Sequence, residues 1–265
     1  MKGLTVGVIG CGNMGSAIVE GMVSKNIAPA SAILLNDKDI QRSAALAKKT
    51  GAVQEELRSL AARSQVLILA VKPQDAEGLL KQISGDIKRQ TIISVMAGVR
   101  IKTIEKTGEG VPVARAMPNM AAFAQEGMTC VAFNGAVKDK ETVKSIFQGV
   151  GQVMEVREKM LDAVTALSGS GPAYFFYLAE AMISAGEKMG LDKNVAIRLV
   201  EQTLYGAAAL LRKEKAVPAD LIRKVASKGG TTEAALSVFD DKGMKAIIEE
   251  AILNAEKRSR ELSGD

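Results

Sequence analysis

"LTVGVIGCGNMGSA", Leu4 to Ala17, decides the fold class. Its first half is a short, uncharged and largely apolar run, as expected of a strand buried on both faces. Gly10, Gly12 and Gly15 follow at once in G-x-G-x-x-G spacing, and Asn13 to Lys25 carries apolar residues at helical intervals. The glycine spacing alone is weak. Strand, glycine turn and helix in direct succession is the context in which it means dinucleotide binding. Gly10 allows the tight turn, Gly12 lets the backbone approach a pyrophosphate, and Gly15 lets helix and strand pack closely. Amides at the helix start, around Asn13 and Met14, are then placed to bind the phosphates. Cys11, inside the loop, reads as a small filler without a redox role.

The same rhythm continues outward. "AILLND" is a second strand, followed by a helix over about Asp39 to Lys49. "QVLILAVK" is a third strand, with a helix near Asp75 to Ile83, and "TIISVMAG" is another. "VPVARAM", "MTCVAFN" and "QVMEV" then read as strands, with "KDKETVKSIFQGV" helical between the last two. This alternation predicts a mostly parallel sheet with helices on both faces. From about Leu161 the period is helical throughout: Tyr174 to Met189, Asn194 to Arg212, a short helix from Pro218 to near Val225, Thr231 to Phe239, and Met244 to Arg260. The expected organisation is an α/β Rossmann-like domain over residues 1–160 and an all-helical domain over 161–265.

At the second strand tip, "NDKD" bears on the choice of cofactor. An acid there accepts hydrogen bonds from the ribose hydroxyls of NAD, whereas basic or small polar groups admit the extra phosphate of NADP. Asp37 favours NAD, while Asn36 and Lys38 would tolerate NADP, so both stay open. Asp39 is better placed as a helix cap.

Composition narrows the chemistry. The 265 residues are 47% hydrophobic and 25% charged, with only 3% aromatic residues and no Trp, which suits close helix packing through small side chains. The net charge of +5 is scattered among acids, and no basic block is interleaved with stacking aromatics, so nucleic acid is not the expected partner. Two cysteines make neither a metal pattern nor a disulfide framework, and a reducing cytoplasm is the expected setting. Apolar runs such as "VLILAV" are too short to span a bilayer, and the opening strand suggests no signal peptide. The sequence contains no histidine at all. That excludes Ser-His-Asp and Cys-His mechanisms and His-ligated zinc, and leaves proton transfer to Lys, Asp, Glu, Tyr, Cys, a hydroxyl or water.

"VIGCGNMGSA", "LAVKPQ" (Leu69 to Gln74), "SVMAGV" (Ser94 to Val99), "RAMPN" (Arg115 to Asn119), "LSGSGPAYFF" (Leu167 to Phe176) and "SKGGTTEAAL" (Ser227 to Leu236) occur in this order. The chain thereby resembles the pyrroline-5-carboxylate reductase family over essentially its whole length. The first motif is generic; "AVKPQ", "SGSGPAY" and "GGTT" together are specific. The resemblance implies reduction of 1-pyrroline-5-carboxylate to L-proline, the last step of proline biosynthesis, by hydride from NADPH or NADH, with family habit leaning to NADPH. It implies a homodimer interlocked through the C-terminal helices, with dimers that often assemble as five in a decamer, and substrate between the cofactor and the helical domain. By position, Ala70, Val71, Lys72 and Pro73, with Ala97 and Gly98, would line the cofactor. Ser227, Gly229, Gly230, Thr231 and Thr232 would bind the substrate carboxylate. Tyr177 stands where relatives can offer a hydroxyl to the substrate nitrogen, although a helix-packing role fits it equally well.

The chain departs from the family pattern at three places. Lys228 replaces a proline in the carboxylate loop, Met120 and Ala121 replace Thr-Pro after "MPN", and no Asn is found around Glu55 to Arg58, where a cofactor contact is usual. In "SGSGPAYFF", Pro172 suits the first turn of a helix, Ser170 suits its cap, and the glycines permit a close backbone approach. Reduction of a C=N bond needs hydride on carbon and a proton on nitrogen. If the imine binds already protonated, no strong acid is required. Consecutive glycines at a helix N-terminus suit a carboxylate, the competing role of Thr231 and Thr232 being simple capping. Related imine reductases, 3-hydroxyacid dehydrogenases and a non-catalytic nicotinamide sensor remain alternatives on these residues.

Overall fold

A computed structural model of the chain describes residues 3–264. The first strand, β1 (Val6–Ile9), runs into α1 (Asn13–Ser24). Then come β2 (Ile33–Asn36), α2 (Ile40–Thr50), β3 (Val53–Gln54), α3 (Leu57–Arg63), β4 (Val66–Leu69), α4 (Ala76–Ile83) and β5 (Thr91–Ser94). A short α5 (Ile101–Ile104) leads to β6 (Val113–Met117), β7 (Gly127–Phe133), α6 (Lys140–Gln148), β8 (Gly151–Glu155) and α7 (Leu161–Val164). The helices α8 (Gly171–Lys188), α9 (Lys193–Glu214), α10 (Pro218–Val225), α11 (Thr231–Asp241) and α12 (Met244–Ser263) complete the chain.

The eight strands form one sheet in the order β3-β2-β1-β4-β5-β6-β7-β8. All neighbouring pairs are parallel except β6 and β7. Strand residues alternate between two apolar layers. Val6, Val8, Ile33, Leu35, Val66 and Ile68 pack with Ile18 and Met22 of α1 and Phe147 of α6. Ile9, Leu34, Leu67 and Leu69 face the other way, toward Leu60 of α3 and Leu80 and Ile83 of α4. Burial on both faces explains why these strands read as continuous apolar runs.

Two compact units result. One runs up to Ser170 and takes in the stretch from Ala255 onward; the other is Gly171–Asn254 and is wholly helical. The first holds the sheet and both apolar layers. Within the second, the buried residues are only Gly171, Gly186, Ala196 and Val200. Its hydrophobic side chains are largely exposed in a single chain, among them Phe176, Met182, Leu199, Tyr205 and Ile247. Among the described residues, no helix is long and apolar enough to cross a membrane.

Candidate active site

The parallel register brings Ile9, Asn36 and Leu69 level at the carboxyl ends of β1, β2 and β4. The helices leave on opposite faces there, which opens a crevice where such sheets bind ligands. A cleft of about 1020 Å³ occupies it, at the upper end of the range for small-molecule sites. Gly10, Gly12 and Asn13 line it from the β1 loop, Asn36, Asp37 and Lys38 from the β2 tip, and Ala70, Val71 and Lys72 from the β4 loop.

The loop glycines are constrained differently. Gly10 turns at φ +101°, and its N–H donates to the Asn36 carbonyl at 2.8 Å. A Cβ on Gly15 would lie 1.9 Å from the Gly10 carbonyl oxygen, so Gly15 packs α1 onto the loop rather than lining the cleft. A Cβ on Gly12 would meet no protein atom within 4 Å. Gly12 is the N-cap of α1, so its missing side chain leaves open space beside amides at the positive end of a helix. The residues present therefore fit a dinucleotide pyrophosphate.

Two backbone amides hold Asp37. Its Oδ2 accepts from the Cys11 amide at 2.6 Å and its Oδ1 from the Asp39 amide at 2.8 Å. Asn36 donates to the Glu55 carbonyl at 2.9 Å, tying the tip of β2 to the chain beyond β3. Lys38 reaches Asp75 at 2.9 Å, and Arg42 reaches Asp39 at 3.2 Å. Asp39 caps α2 through the Gln41 amide, as its position suggested. Burial, then the neighbouring Asp37 charge, pushes the Cys11 thiol up to about 12. That keeps it protonated and unreactive, consistent with a filler.

Other expected cofactor residues lie elsewhere. Met14 packs against the apolar layer beneath α1, and Pro73 opens a 3₁₀ turn between the lining residues Lys72 and Gln74. Ala97 and Gly98 follow β5, beside β4, and do not line this cleft. Phe123, Arg42, Asp75 and Leu57 do line it, although the sequence did not single them out. Leu57 begins α3 in the region searched for an Asn, and Phe123 sits in the turn after the departing Met120-Ala121 pair. A usable signal existed only for Arg42, one turn into the helix after the β2 tip.

Arg115 is 4% exposed and lies 3.4 Å from Glu158. Burial lowers the pKa of its guanidinium, which Glu158 and Asp162 partly oppose. Arg115 is thus paired with a carboxylate of its own chain.

In "SGSGPAYFF", α7 runs into a π-helical turn over Thr165–Gly169, closed by Ser170 N–H on the Thr165 carbonyl at 2.8 Å. Then α8 begins at Gly171, with Pro172 next. Ser170 has helical backbone (φ −83°, ψ −19°) rather than the extended form of an N-cap, so it continues a helix instead of starting one. Such π turns often mark functional positions. Tyr177, on α8, is 77% exposed.

The loop from Ser227 to Thr232 ends on α11. Gly229 is left-handed at φ +71°, and Gly230 is the N-cap. Thr231 and Thr232 are the first residues of the helix, so neither is the cap residue. The Gly229 amide donates to Glu233 Oε2 at 2.6 Å, which shows that a carboxylate fits there. Lys228 is exposed beside it.

Comparisons with known proteins agree with this architecture. A family profile described as NADP oxidoreductase coenzyme F420-dependent matches residues 5–98, and one described as pyrroline-5-carboxylate reductase dimerisation matches residues 158–262. The chain is 37% identical to a pyrroline-5-carboxylate reductase of Synechocystis, over 98% of both chains. It superposes on a pyrroline-5-carboxylate reductase structure from Coxiella burnetii with a TM-score of 0.92 and 32% identity, covering 98% of each chain. A Plasmodium falciparum pyrroline carboxylate reductase with NADP bound gives a TM-score of 0.89 at 28% identity over 99% of each. Fold and cleft thus define an NAD(P)H-dependent oxidoreductase with an oligomerising helical region. Within that class the chain belongs to the pyrroline-5-carboxylate reductase family.

Proposed function

We propose that this chain reduces 1-pyrroline-5-carboxylate to L-proline with NAD(P)H, in the cytoplasm, as the closing step of proline biosynthesis. The observation that carries the reading is the end-to-end match to reductases of that name. The glycine loop at the start of α11, whose Gly229 amide bonds Glu233 of the same helix, is compatible with it. In the assignment offered, residues 1–160 hold the dinucleotide and residues 161–265 provide dimerisation and substrate binding. Dimers assemble further, as five in a decamer.

Gly10, Gly12, Asn13, Met14 and Gly15 form the pyrophosphate loop, by lining it or by supporting it. Asn36, Asp37 and Lys38 meet the adenosine ribose, and Ala70, Val71, Lys72, Pro73, Ala97 and Gly98 follow the nicotinamide half. The bound reduced nicotinamide supplies hydride to the imine carbon. Ser227, Gly229, Gly230, Thr231 and Thr232 hold the substrate carboxylate, with the α11 dipole favouring its charge. Glu233 must leave the Gly229 amide for this to happen. Tyr177 offers its hydroxyl to the ring nitrogen. An imine that binds already protonated asks only to be oriented, and orientation is what a site without histidine can provide.

The test is NADPH or NADH absorbance followed on addition of 1-pyrroline-5-carboxylate. Oxidation with stoichiometric proline is the expected result, and no oxidation with either dinucleotide rejects the reading. Light scattering on the purified protein checks the decamer; a mass that stops at two chains rejects it.

A further inference from the structure

The last turns of α12 lie against the loop that follows β5. Gly98 has φ +75°, and a Cβ there would lie 2.8 Å from the Leu262 carbonyl oxygen, so the two backbones touch. Two carboxylates hold the next residues. Glu158 Oε1 accepts the Ile101 amide at 2.8 Å, at the start of α5. Asp162, 4% exposed, has Oδ2 3.8 Å from the Arg100 guanidinium. The other Asp162 oxygen, Oδ1, accepts from Ser259 Oγ at 2.8 Å and lies 3.1 Å from Ser263 Oγ, whose single proton it shares with the Ser259 carbonyl at 3.0 Å. Ser259 is itself buried. One carboxylate thus joins the end of α12 to the β5–α5 loop, and Arg115, on Glu158, roots the cluster in β6.

The loop's position gives this bracing a purpose. In a sheet of this order the adenosine half of a dinucleotide lies toward β2 and the other half crosses to the β4 and β5 side. The β5 loop borders that side. We propose that Asp162, clamped by Ser259 and Ser263, is a positioning residue that holds the Ala97–Arg100 loop against the nicotinamide half of the cofactor. This rests on the reading of the first unit as an NAD(P)H site; it does not depend on which imine is reduced. Asp162 touches neither cofactor nor substrate; it acts through Arg100 and through the Gly98–Leu262 contact. A carboxylate suits the task because one oxygen can take both serine hydroxyls while the other faces the guanidinium, and buried charge-assisted bonds resist rearrangement.

The experiment compares two ligands on the full-length protein by calorimetry: the whole dinucleotide, and the matching ADP-ribose fragment that lacks nicotinamide. The pairs are NADH with ADP-ribose and NADPH with 2′-phospho-ADP-ribose. In Ser259→Ala/Ser263→Ala, the whole dinucleotide is expected to bind about tenfold more weakly, for the loss of the Ser259 hydrogen bond and the shared Ser263 one to a carboxylate. The fragment should stay within about twofold, because the adenosine half does not reach the β5 loop. Equal losses for both ligands would mean a purely structural role, and no loss for either would mean that the clamp positions nothing; each overturns the proposal. Should the double variant fail to fold, Ser263→Ala alone is read on the same difference, with Ser263→Thr expected to restore it. A wild-type protein that binds no dinucleotide overturns both this proposal and the cofactor reading. One that binds but does not reduce 1-pyrroline-5-carboxylate rejects only the substrate, and the comparison of the two ligands still decides the clamp.

Discussion

Adding one methyl group at Gly15 would place it 1.9 Å from the Gly10 carbonyl oxygen, while the same addition at Gly12 would meet nothing within 4 Å. The two positions should therefore fail in opposite ways. Gly15→Ala is expected to lose about 3 kcal/mol or more of stability by overpacking helix against loop, read as a fall in Tm. Gly12→Ala is expected to keep Tm within about 2 °C, because its backbone (φ −72°, ψ −166°) suits alanine, and yet to bind NAD(P)H at least about tenfold more weakly. Tight binding by Gly12→Ala would remove the pyrophosphate from this loop. Cys11 gives a second expectation. Its folded pKa is raised to about 12 from 9.0, so the folded state prefers the protonated thiol. That contribution is complete below pH about 9 and is lost as pH rises toward 12. Iodoacetamide at pH 8 should leave Cys11 unlabelled in the native protein and label it after denaturation; rapid native labelling would contradict this. The roles of Gly10 and Gly15 were legible in sequence because a tight turn and a close helix–loop approach each leave one residue type. The bond from the Cys11 amide to Asp37 was not, because it joins residues 26 apart through a strand register that no local pattern reveals.

At the scale of elements, length decided what could be read. The longer helices stood out by periodicity and the buried strands as continuous apolar runs, whereas β3 with 2 residues, α5 with 4 and α3 with 7 are too short to show a period. The π turn before α8 was also hidden, since Thr165–Gly169 reads as helix or as glycine loop depending on the hydrogen bond that Ser170 makes. The glycines before α11 were legible as a loop leading into a helix, but the bond from the Gly229 amide to Glu233 was not. Glu233 stands in the first turn, where its charge is favoured by the helix dipole, and it takes the amide that a substrate carboxylate would use. Glu233→Gln weakens that internal competitor. The expected outcome is a substrate KM lowered by about threefold with an unchanged NAD(P)H Kd. A raised KM would show instead that Glu233 orders the loop for the substrate.

For the whole molecule, the two units differ in how completely they bury themselves. The sheet unit closes both faces with its own helices, and the dinucleotide cleft draws every lining residue from that unit. The helical unit has four buried residues between Gly171 and Asn254, two of them glycines, and leaves Val195, Leu199, Tyr205 and Ile247 exposed. Apolar surface on that scale is not stable in water and requires a partner, which accords with the dimerisation profile over residues 158–262. The helical character of this half was legible from spacing. Its lack of a private core was not, because a helix face that packs against a second copy has the same apolar period as one that packs within its own chain. A charge on that face should separate the two properties. Leu199→Glu, at a position 54% exposed in the single chain, would bury an unpaired carboxylate in the oligomer. The expected result is a particle of reduced mass by light scattering that still binds NAD(P)H within about twofold of wild type, since the cleft is complete within the first unit. An unchanged mass would place the interface on other helices. A dinucleotide affinity that fell together with the mass would mean that the partner chain completes the cofactor site.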